Sequence, residues 1–184
     1  MNTALETLAR LSSVADDLGR QHASELQRLD ETAAAKRALE LLGSAGLCAW
    51  MVPRAFGGAD AGALVPADTI SVRAACVLRR SLAYHSAMLD VMLVMQGLGS
   101  FALTQAADLS LAREILPRVA TGQICAAFAL TEPGAGSSLT DIALRATRNA
   151  HGWKLSGHKT FISNAGIADF YTVLARSGDE PAHY

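Results

Sequence analysis

Residues 126–169, AAFALTEPGAGSSLTDIALRATRNAHGWKLSGHKTFISNAGIAD, contain two predicted strand ends that carry hydroxyl groups. The first strand, Ile124–Leu130, runs into the loop 131–138, whose glycines bend freely and whose backbone N–H groups have no obvious partner in a sheet. The second strand, Lys159–Ser163, has an aromatic and a hydroxyl side chain separated by one residue. Two such strand ends, side by side, would suit the edge of a planar polar ring.

The side chains at these strand ends have two interpretations. In the first, Phe161 packs near a planar ring while Thr131 and Ser163 form hydrogen bonds with its heteroatoms. In the second, residues 131–133 are simply a turn that leaves a strand, and Phe161 and Ile162 belong to the core of a sheet. The residue pattern alone leaves both interpretations open.

Several motifs of the chain resemble those of one family, in the correct order. The strings ALTEPGAGS, WKLSGHKTFISNA and ADFYTVLA look like the acyl-CoA dehydrogenase family, the flavoenzymes of acyl-thioester α,β-desaturation. Residues 46–58 resemble the family's GL…VP…(Y/F)GG element, and residues 116–122 resemble the segment that leads into its first strand. Because these pieces keep their order and spacing, the resemblance covers nearly the whole chain.

The chain divides into a helical part and a strand-rich part. Its 184 residues, 51% of them hydrophobic, suffice for one or two domains with real cores. Apolar residues at three- and four-residue steps predict helices before Gly122, and alternating strands follow it. We expect an α+β fold, in which an N-terminal all-α bundle (residues 1–122) precedes a truncated antiparallel β-barrel-like domain (residues 123–184).

The predicted elements have definite bounds. Helices are expected at Ala4–Leu18, which Gly19 ends or loosens, from Asp30 or the cap Thr32 to Ser44, from Ala67 or Asp68 to Leu82, within Tyr84–Leu103, and at Leu111–Ala120 after a cap at Asp108 or Ser110. Strands are expected at Ile124–Leu130, Ala143–Arg148, Trp153–Ser156, Lys159–Ser163 and Phe170–Arg176.

The stretch Tyr84–Leu103 is apolar enough to raise the question of a membrane span. Asp90 and Gln96 interrupt it and its flanks lack a basic anchor pattern, so we expect no membrane span but a helix buried in the all-α domain. Its methionines at helical spacing either belong to the core or form a wall for an acyl chain, because flexible thioethers suit variable apolar ligands: Met88, Met92 and Met95.

Composition excludes some classes of function. A formal net charge of −1 argues against a nucleic-acid-binding surface, which requires a basic face. The N-terminal sequence MNTALETLARLSSVADD lacks the basic start and apolar run of a secretory signal. The cysteines have no metal-type spacing, so we expect no metal site and three small buried thiols in a reducing cytoplasm: Cys48, Cys76 and Cys125.

The resemblance implies an FAD site and its contacts. Thr131 would bond the pyrimidine part of the isoalloxazine ring, Ser163 would approach N5, and Phe161 would pack against the ring. Ser137 would also touch the pantetheine arm of the substrate. Ser138 departs from the acid that the family usually has there. The full implied set of cofactor contacts is Phe128, Ala129, Leu130, Thr131, Glu132, Pro133, Gly134, Ala135, Gly136, Ser137, Phe161, Ile162 and Ser163.

The resemblance also implies what the chain lacks. Members of the family continue with the rest of the β-domain and a C-terminal helical bundle that carries the catalytic glutamate. Glu132 matches a loop residue of the family rather than that base, so no catalytic residue is assigned. We expect the chain to need a missing part, as a longer product or a partner chain, to be inactive by itself and to bind FAD poorly alone.

Three functions follow from these expectations. The leading one is FAD-dependent desaturation of an acyl-CoA or acyl-carrier thioester, with an electron-transfer flavoprotein or another acceptor and a homo-oligomeric assembly. The second is a flavin-dependent monooxygenase or oxidase on the same fold. The third is a non-catalytic, truncated subunit that assembles with a full-length relative and so buries an open sheet edge.

Overall fold

The computed structural model describes residues 2–62, 64–65, 69–106 and 109–178. Within them, the helices are α1 (Asn2–Leu26), α2 (Glu31–Ser44), α3 (Val72–His85), α4 (Ala87–Thr104) and α5 (Ser110–Ala120), and the strands are β1 (Ala126–Ala129), β2 (Arg145–Asn149), β3 (Gly152–Ser156) and β4 (Phe170–Val173). The predicted α+β order, helices first and strands after them, is confirmed.

Helix α1 continues through Gly19, where the sequence predicted an end or a loosening. The glycine serves a close approach, since a Cβ atom at this position would lie 2.7–2.9 Å from side-chain atoms of His85. The missing side chain therefore lets α1 pack tightly against the end of α3. Propensity alone misassigned this glycine because the tertiary contact outweighs its helix cost of about 1 kcal/mol.

The helix caps differ from the predicted ones. Asp30, rather than Thr32, caps α2, and its Oδ1 atom accepts a hydrogen bond from the backbone N–H of Ala33 at 2.9 Å. Ser71 caps α3, accepting from the backbone N–H of Ala74 at 3.2 Å. The predicted starts of α3 and one predicted cap of α5 lie outside the described residues: Ala67, Asp68 and Asp108.

Helix α4 lies at the centre of the molecule. It is the one helix of the described chain long and apolar enough to cross a membrane by length and composition alone. In the structure it packs against α2, α3, α5 and β1, and its Leu89, Met92 and Leu93 are at most 1% exposed. The expectation of a core helix therefore agrees with its packing.

The contact between α4 and β1 depends on two residues of the helix. A Cβ atom at Gly99 would lie 2.8 Å from the Cβ atom of Ala126, so only glycine permits this approach. The fully buried Gln96 donates from Nε2 to the carbonyl of Ile124 at 2.8 Å and accepts at Oε1 from the N–H of Ala126 at 2.9 Å. The side-chain amide of Gln96 thus donates to one backbone group and accepts from another at the start of β1, as the backbone of a neighbouring strand would.

The strands form two pairs. β1 pairs with β4 in parallel, whereas β2 and β3 form an antiparallel hairpin. An isolated bridge between Arg145 and Arg176 connects the two pairs. The antiparallel arrangement expected for the β-domain therefore holds for the hairpin, and the β1–β4 pair is parallel instead.

The predicted strand Lys159–Ser163 is wrong. Residues 159–164, here called the edge segment, follow an irregular path along the side of β1 away from β4. The N–H of Thr160 donates to the carbonyl of Thr131 at 2.9 Å, and Nδ2 of Asn164 donates to the carbonyl of Ala126 at 2.9 Å. Between these two attachments, a φ of 55° at Phe161 turns the chain out of an extended conformation.

The cysteines are not all buried. Cys48 and Cys125 are buried, and burial raises the pKa of their thiols to about 12 and about 11 respectively. Cys76 is exposed on α3, so the expectation of three buried thiols is wrong for this residue. It lies at an outer position of a helix whose inner positions, such as Ala74 and Leu78, are fully buried.

We predict opposite effects for two alanine substitutions in α4. Gly99→Ala should lower the free energy of unfolding by about 1–3 kcal/mol, because the new methyl group overpacks against β1. Gly97→Ala is the matched control, since its Cβ atom would meet only Met51, at 3.4–3.8 Å. It should raise stability by up to about 1 kcal/mol. Urea denaturation measures both, and equal effects would contradict the proposed close approach.

Candidate functional site

The loop after β1, residues 131–137, is held in a tight turn. Glu132 and Ala135 exchange both of their backbone hydrogen bonds, at 2.9 and 3.1 Å. The tip residues Pro133 and Gly134 are exposed, as are Gly136 and Ser137. The interpretation of residues 131–133 as part of a turn that leaves a strand is therefore correct. Such a turn is compatible with a ligand site.

The carboxylate of Glu132 is enclosed by hydrogen-bond donors. It accepts from the backbone N–H groups of Ala143 at 2.6 Å and Leu144 at 2.9 Å, and from Nζ of Lys159 at 2.9 Å. The side chains of Glu132 and Lys159 are only 5% and 8% exposed. Lys159 also donates to the carbonyl of Leu130 at 2.8 Å.

These contacts fix the charge of Glu132. Burial alone would raise the pKa of its carboxyl group, but the donors from Ala143, Lys159 and Leu144 outweigh burial and lower the pKa to about 2. Such a carboxylate is a poor proton acceptor. Among the predicted cofactor contacts, Glu132 supports the loop from inside, because its carboxylate is directed at the protein.

Phe161 is presented to solvent by a strained backbone. It is 92% exposed and has a positive φ, which is uncommon for a bulky residue. The interpretation of Phe161 as sheet core is therefore wrong. Strained residues of this kind persist where the surroundings hold them, and they cluster at ligand sites.

Polar groups without protein partners lie on both segments. Within the described chain, the hydroxyl groups of Thr131, Ser137 and Ser163 form no hydrogen bond. The same holds for the backbone N–H groups of Gly136 and Ser137 and for those of residues 161–163. Donors and an exposed ring thus lie on two segments that touch at the Thr160–Thr131 hydrogen bond.

Two clefts flank these segments. A cleft of about 390 Å³ lies between the start of α2, the start of α4 and the edge segment, and Ile162 and Ser163 form part of its wall. A larger, strongly apolar cleft of about 790 Å³ is lined by Phe128 together with Leu98 and Phe101. The predicted cofactor contacts are therefore divided, since Phe128 faces one cleft and Ile162 and Ser163 face the other.

The smaller cleft includes residues that sequence reasoning missed. Glu31, Thr32 and Ala35 contribute from α2, which showed only the pattern of an amphipathic scaffold helix. The helical spacing of these residues places them on one face, but nothing in it identifies what that face meets. Met88 and Val91 contribute from α4. Met92 and Met95 are 1% and 6% exposed, so the core interpretation holds for them. Met88 lines the smaller cleft, and its role as a wall for an acyl chain stays a prediction.

We predict a specific pH dependence for Glu132→Gln. A carboxyl group whose pKa falls from 4.5 to about 2 on folding stabilises the protein above pH 4.5, and this contribution is lost as the pH falls through about 2. The variant should lose about 3–5 kcal/mol of unfolding free energy at pH 7, since Lys159 is left buried and unpaired. The difference from wild type should shrink between pH 4.5 and pH 2.

Chemical denaturation at a series of pH values measures this dependence. Glu40→Gln is the control, because its ion pair with Arg37 is exposed and should contribute at most about 1 kcal/mol. A Glu132→Gln profile parallel to that of wild type down to pH 2 would contradict the assigned contacts.

Comparison with known proteins identifies part of the chain directly. The sequence model described as "Acyl-CoA dehydrogenase, middle domain" matches residues 127–184. This range contains the loop 131–137 and the edge segment.

Curated relatives match both the helical and the strand-rich parts. Cyclohexane-1-carbonyl-CoA dehydrogenase of Geobacter metallireducens is 35% identical over 143 residues, which cover 77% of this chain and 35% of the relative. L-prolyl-[peptidyl-carrier protein] dehydrogenase of Pseudomonas fluorescens is 31% identical over 141 residues, covering 76% of this chain and 36% of the relative. The chain thus spans about a third of the length of these relatives.

Solved structures agree with the sequence matches. An acyl-CoA dehydrogenase of Bacillus anthracis complexed with FAD superposes with a TM-score of 0.76 at 25% identity, covering 93% of this chain and 29% of that one. The fold, the order of its elements and the sequence matches all lead to one assignment. The chain belongs to the acyl-CoA dehydrogenase family, in which it corresponds to the N-terminal helices and the first part of the middle domain.

Proposed function

We propose that this chain contributes the flavin-binding strands of an FAD-dependent oxidoreductase that desaturates acyl thioesters. The proposal rests on one observation above all. The two segments that carry the family's motifs touch each other, and both present polar groups without protein partners beside an exposed aromatic ring. Membership of the family adds support, since a related structure is described as a complex with FAD.

The residues of the chain suit the edge of an isoalloxazine ring. We assign Thr131 to the pyrimidine part, Ser163 to the region of N5, and Phe161 to packing against the ring. The free N–H groups of Gly136 and Ser137 add donors beside them. Donors at these positions favour negative charge on the ring. When bound, FAD supplies the acceptor for the hydride that leaves the acyl chain.

The substrate is proposed to be an acyl-CoA or an acyl-carrier thioester. The exposed Ser137 is assigned to the pantetheine arm. Met88 and Val91 give the smaller cleft an apolar wall beside Ser163, which suits an acyl chain. The names of two relatives specify a coenzyme A thioester and a carrier protein, so both carriers are compatible with the family.

Further features of the protein are proposed on the same basis. We assign no catalytic base, and we expect an electron-transfer flavoprotein or another acceptor to reoxidise the flavin. We also propose a homo-oligomer or a partner chain, and a domain division between residues 122 and 123. The free thiols of the chain suit a reducing compartment, which supports a cytoplasmic location.

Titration of the purified protein with FAD, followed by visible absorption and calorimetry, tests the proposal. We expect weak but saturable binding, since only two segments contribute contacts. Thr131→Val and Ser163→Ala should each weaken binding by about 2- to 10-fold, because each removes one hydrogen bond. Ser138→Ala is the matched control, as the hydroxyl of Ser138 already bonds Thr140 at 2.9 Å.

Two outcomes would oppose this function. The absence of saturable binding would contradict the proposed flavin site. If Ser138→Ala weakened FAD binding as much as Thr131→Val and Ser163→Ala, the assignment of the two hydroxyl groups would be wrong. A second arm adds a panel of acyl-CoA thioesters anaerobically to the protein with FAD. Since no catalytic base is assigned, we expect no bleaching of the flavin by this chain alone. Bleaching by one acyl chain would contradict that expectation and would rule out a non-catalytic subunit.

A further inference from the structure

We propose that the buried Glu132–Lys159 pair is a positioning device that sets the separation between the loop 131–137 and the edge segment. Through that separation, the pair sets the affinity of the site for flavin. The inference about affinity rests on the proposed function. The inference about separation concerns only the contacts of this chain.

The pair connects consecutive residues of one segment to consecutive residues of the other. Nζ of Lys159 donates to the carbonyl of Leu130 at 2.8 Å and to the carboxylate of Glu132 at 2.9 Å. The next residue, Thr160, donates its N–H to the carbonyl of Thr131 at 2.9 Å. Residues 130, 131 and 132 are thus each bound to residue 159 or 160, although 27 positions separate Glu132 from Lys159.

The same carboxylate also fixes the chain behind the loop. Its hydrogen bonds to the N–H groups of Ala143 and Leu144 hold the residues that lead into β2. Four hydrogen bonds that connect three parts of the chain therefore converge on two buried side chains. Thr131 lies between the bound residues 130 and 132, and its hydroxyl remains without a protein partner.

The effect of the pair on the position of the two segments can be measured separately from its effect on the stability of the fold. Desolvation of a buried ion pair cancels much of its attraction, so replacing both charges by neutral groups of similar shape is often close to neutral for folding. Removing one partner, in contrast, leaves a buried charge and is strongly destabilising. A double substitution therefore removes the side-chain contacts between the two segments without leaving a buried, unpaired charge.

The test compares Glu132→Gln/Lys159→Met with wild type. We expect the double variant to stay folded but to unfold at a lower urea concentration, because a Gln amide accepts from only one of the N–H groups of Ala143 and Leu144. It should bind FAD at least about tenfold more weakly, because loosened contact groups lose affinity steeply. Hydrogen exchange at the Thr160 amide should become faster. Arg79→Met/Asp90→Asn is the control, since it removes a pair with hydrogen bonds of 2.7 and 2.8 Å between α3 and α4. This control should change neither the affinity for FAD nor the rate of hydrogen exchange at the Thr160 amide.

Lys159→Arg is a second variant in case the double variant does not fold. It keeps the charge but changes the geometry of the donors, so we expect FAD binding to weaken by about three- to tenfold with the fold retained. Wild-type affinity in the folded variants would overturn the link to flavin. If wild type itself binds no FAD, the proposed function fails and exchange at Thr160 decides the positioning. In that case, an unchanged exchange rate of the Thr160 amide in the double variant would overturn the positioning role of the Glu132–Lys159 pair.

Discussion

The backbone of Ala126, at the start of β1, is satisfied by two side-chain amides on the edge away from β4. Gln96 accepts from its N–H at 2.9 Å, and Asn164 donates to its carbonyl at 2.9 Å. An unpaired strand edge would otherwise expose or bury polar groups without partners. One residue thus joins the central helix, the first strand and the edge segment, and the arrangement of the candidate site depends on this junction.

A second junction follows six residues later, at Glu132, which contacts Lys159. The edge segment is therefore attached at both ends, by Lys159 and Thr160 at one end and by Asn164 at the other. Residues 161–163 between these attachments have no backbone hydrogen bond as donors. Between the attachments the chain turns outward, where Phe161 has a positive φ.

This arrangement explains how a small set of residues presents polar groups and an exposed aromatic ring on one surface. The buried ends of the two segments use their polar atoms on each other, whereas the exposed parts keep their hydroxyl and N–H groups free. Rigid support from behind is what a binding surface requires, because each contact group must be held close to its working position. The neighbouring clefts have apolar walls from α4, so the helical part borders the candidate site as well as forming the core.

The sequence by itself determined the order of helices and strands and the family, because hydrophobic periodicity and short motifs are local properties. It also predicted the two segments of the candidate site. Tertiary structure alone decided the continuation of α1 through Gly19, the irregular edge segment and the presence of Glu31 beside Ser163. Glu132 and Lys159 were visible as charged residues, but no local pattern predicts a pair between residues 27 positions apart. Such contacts depend on which surfaces the folded chain brings together, and single-residue preferences contain no information about that.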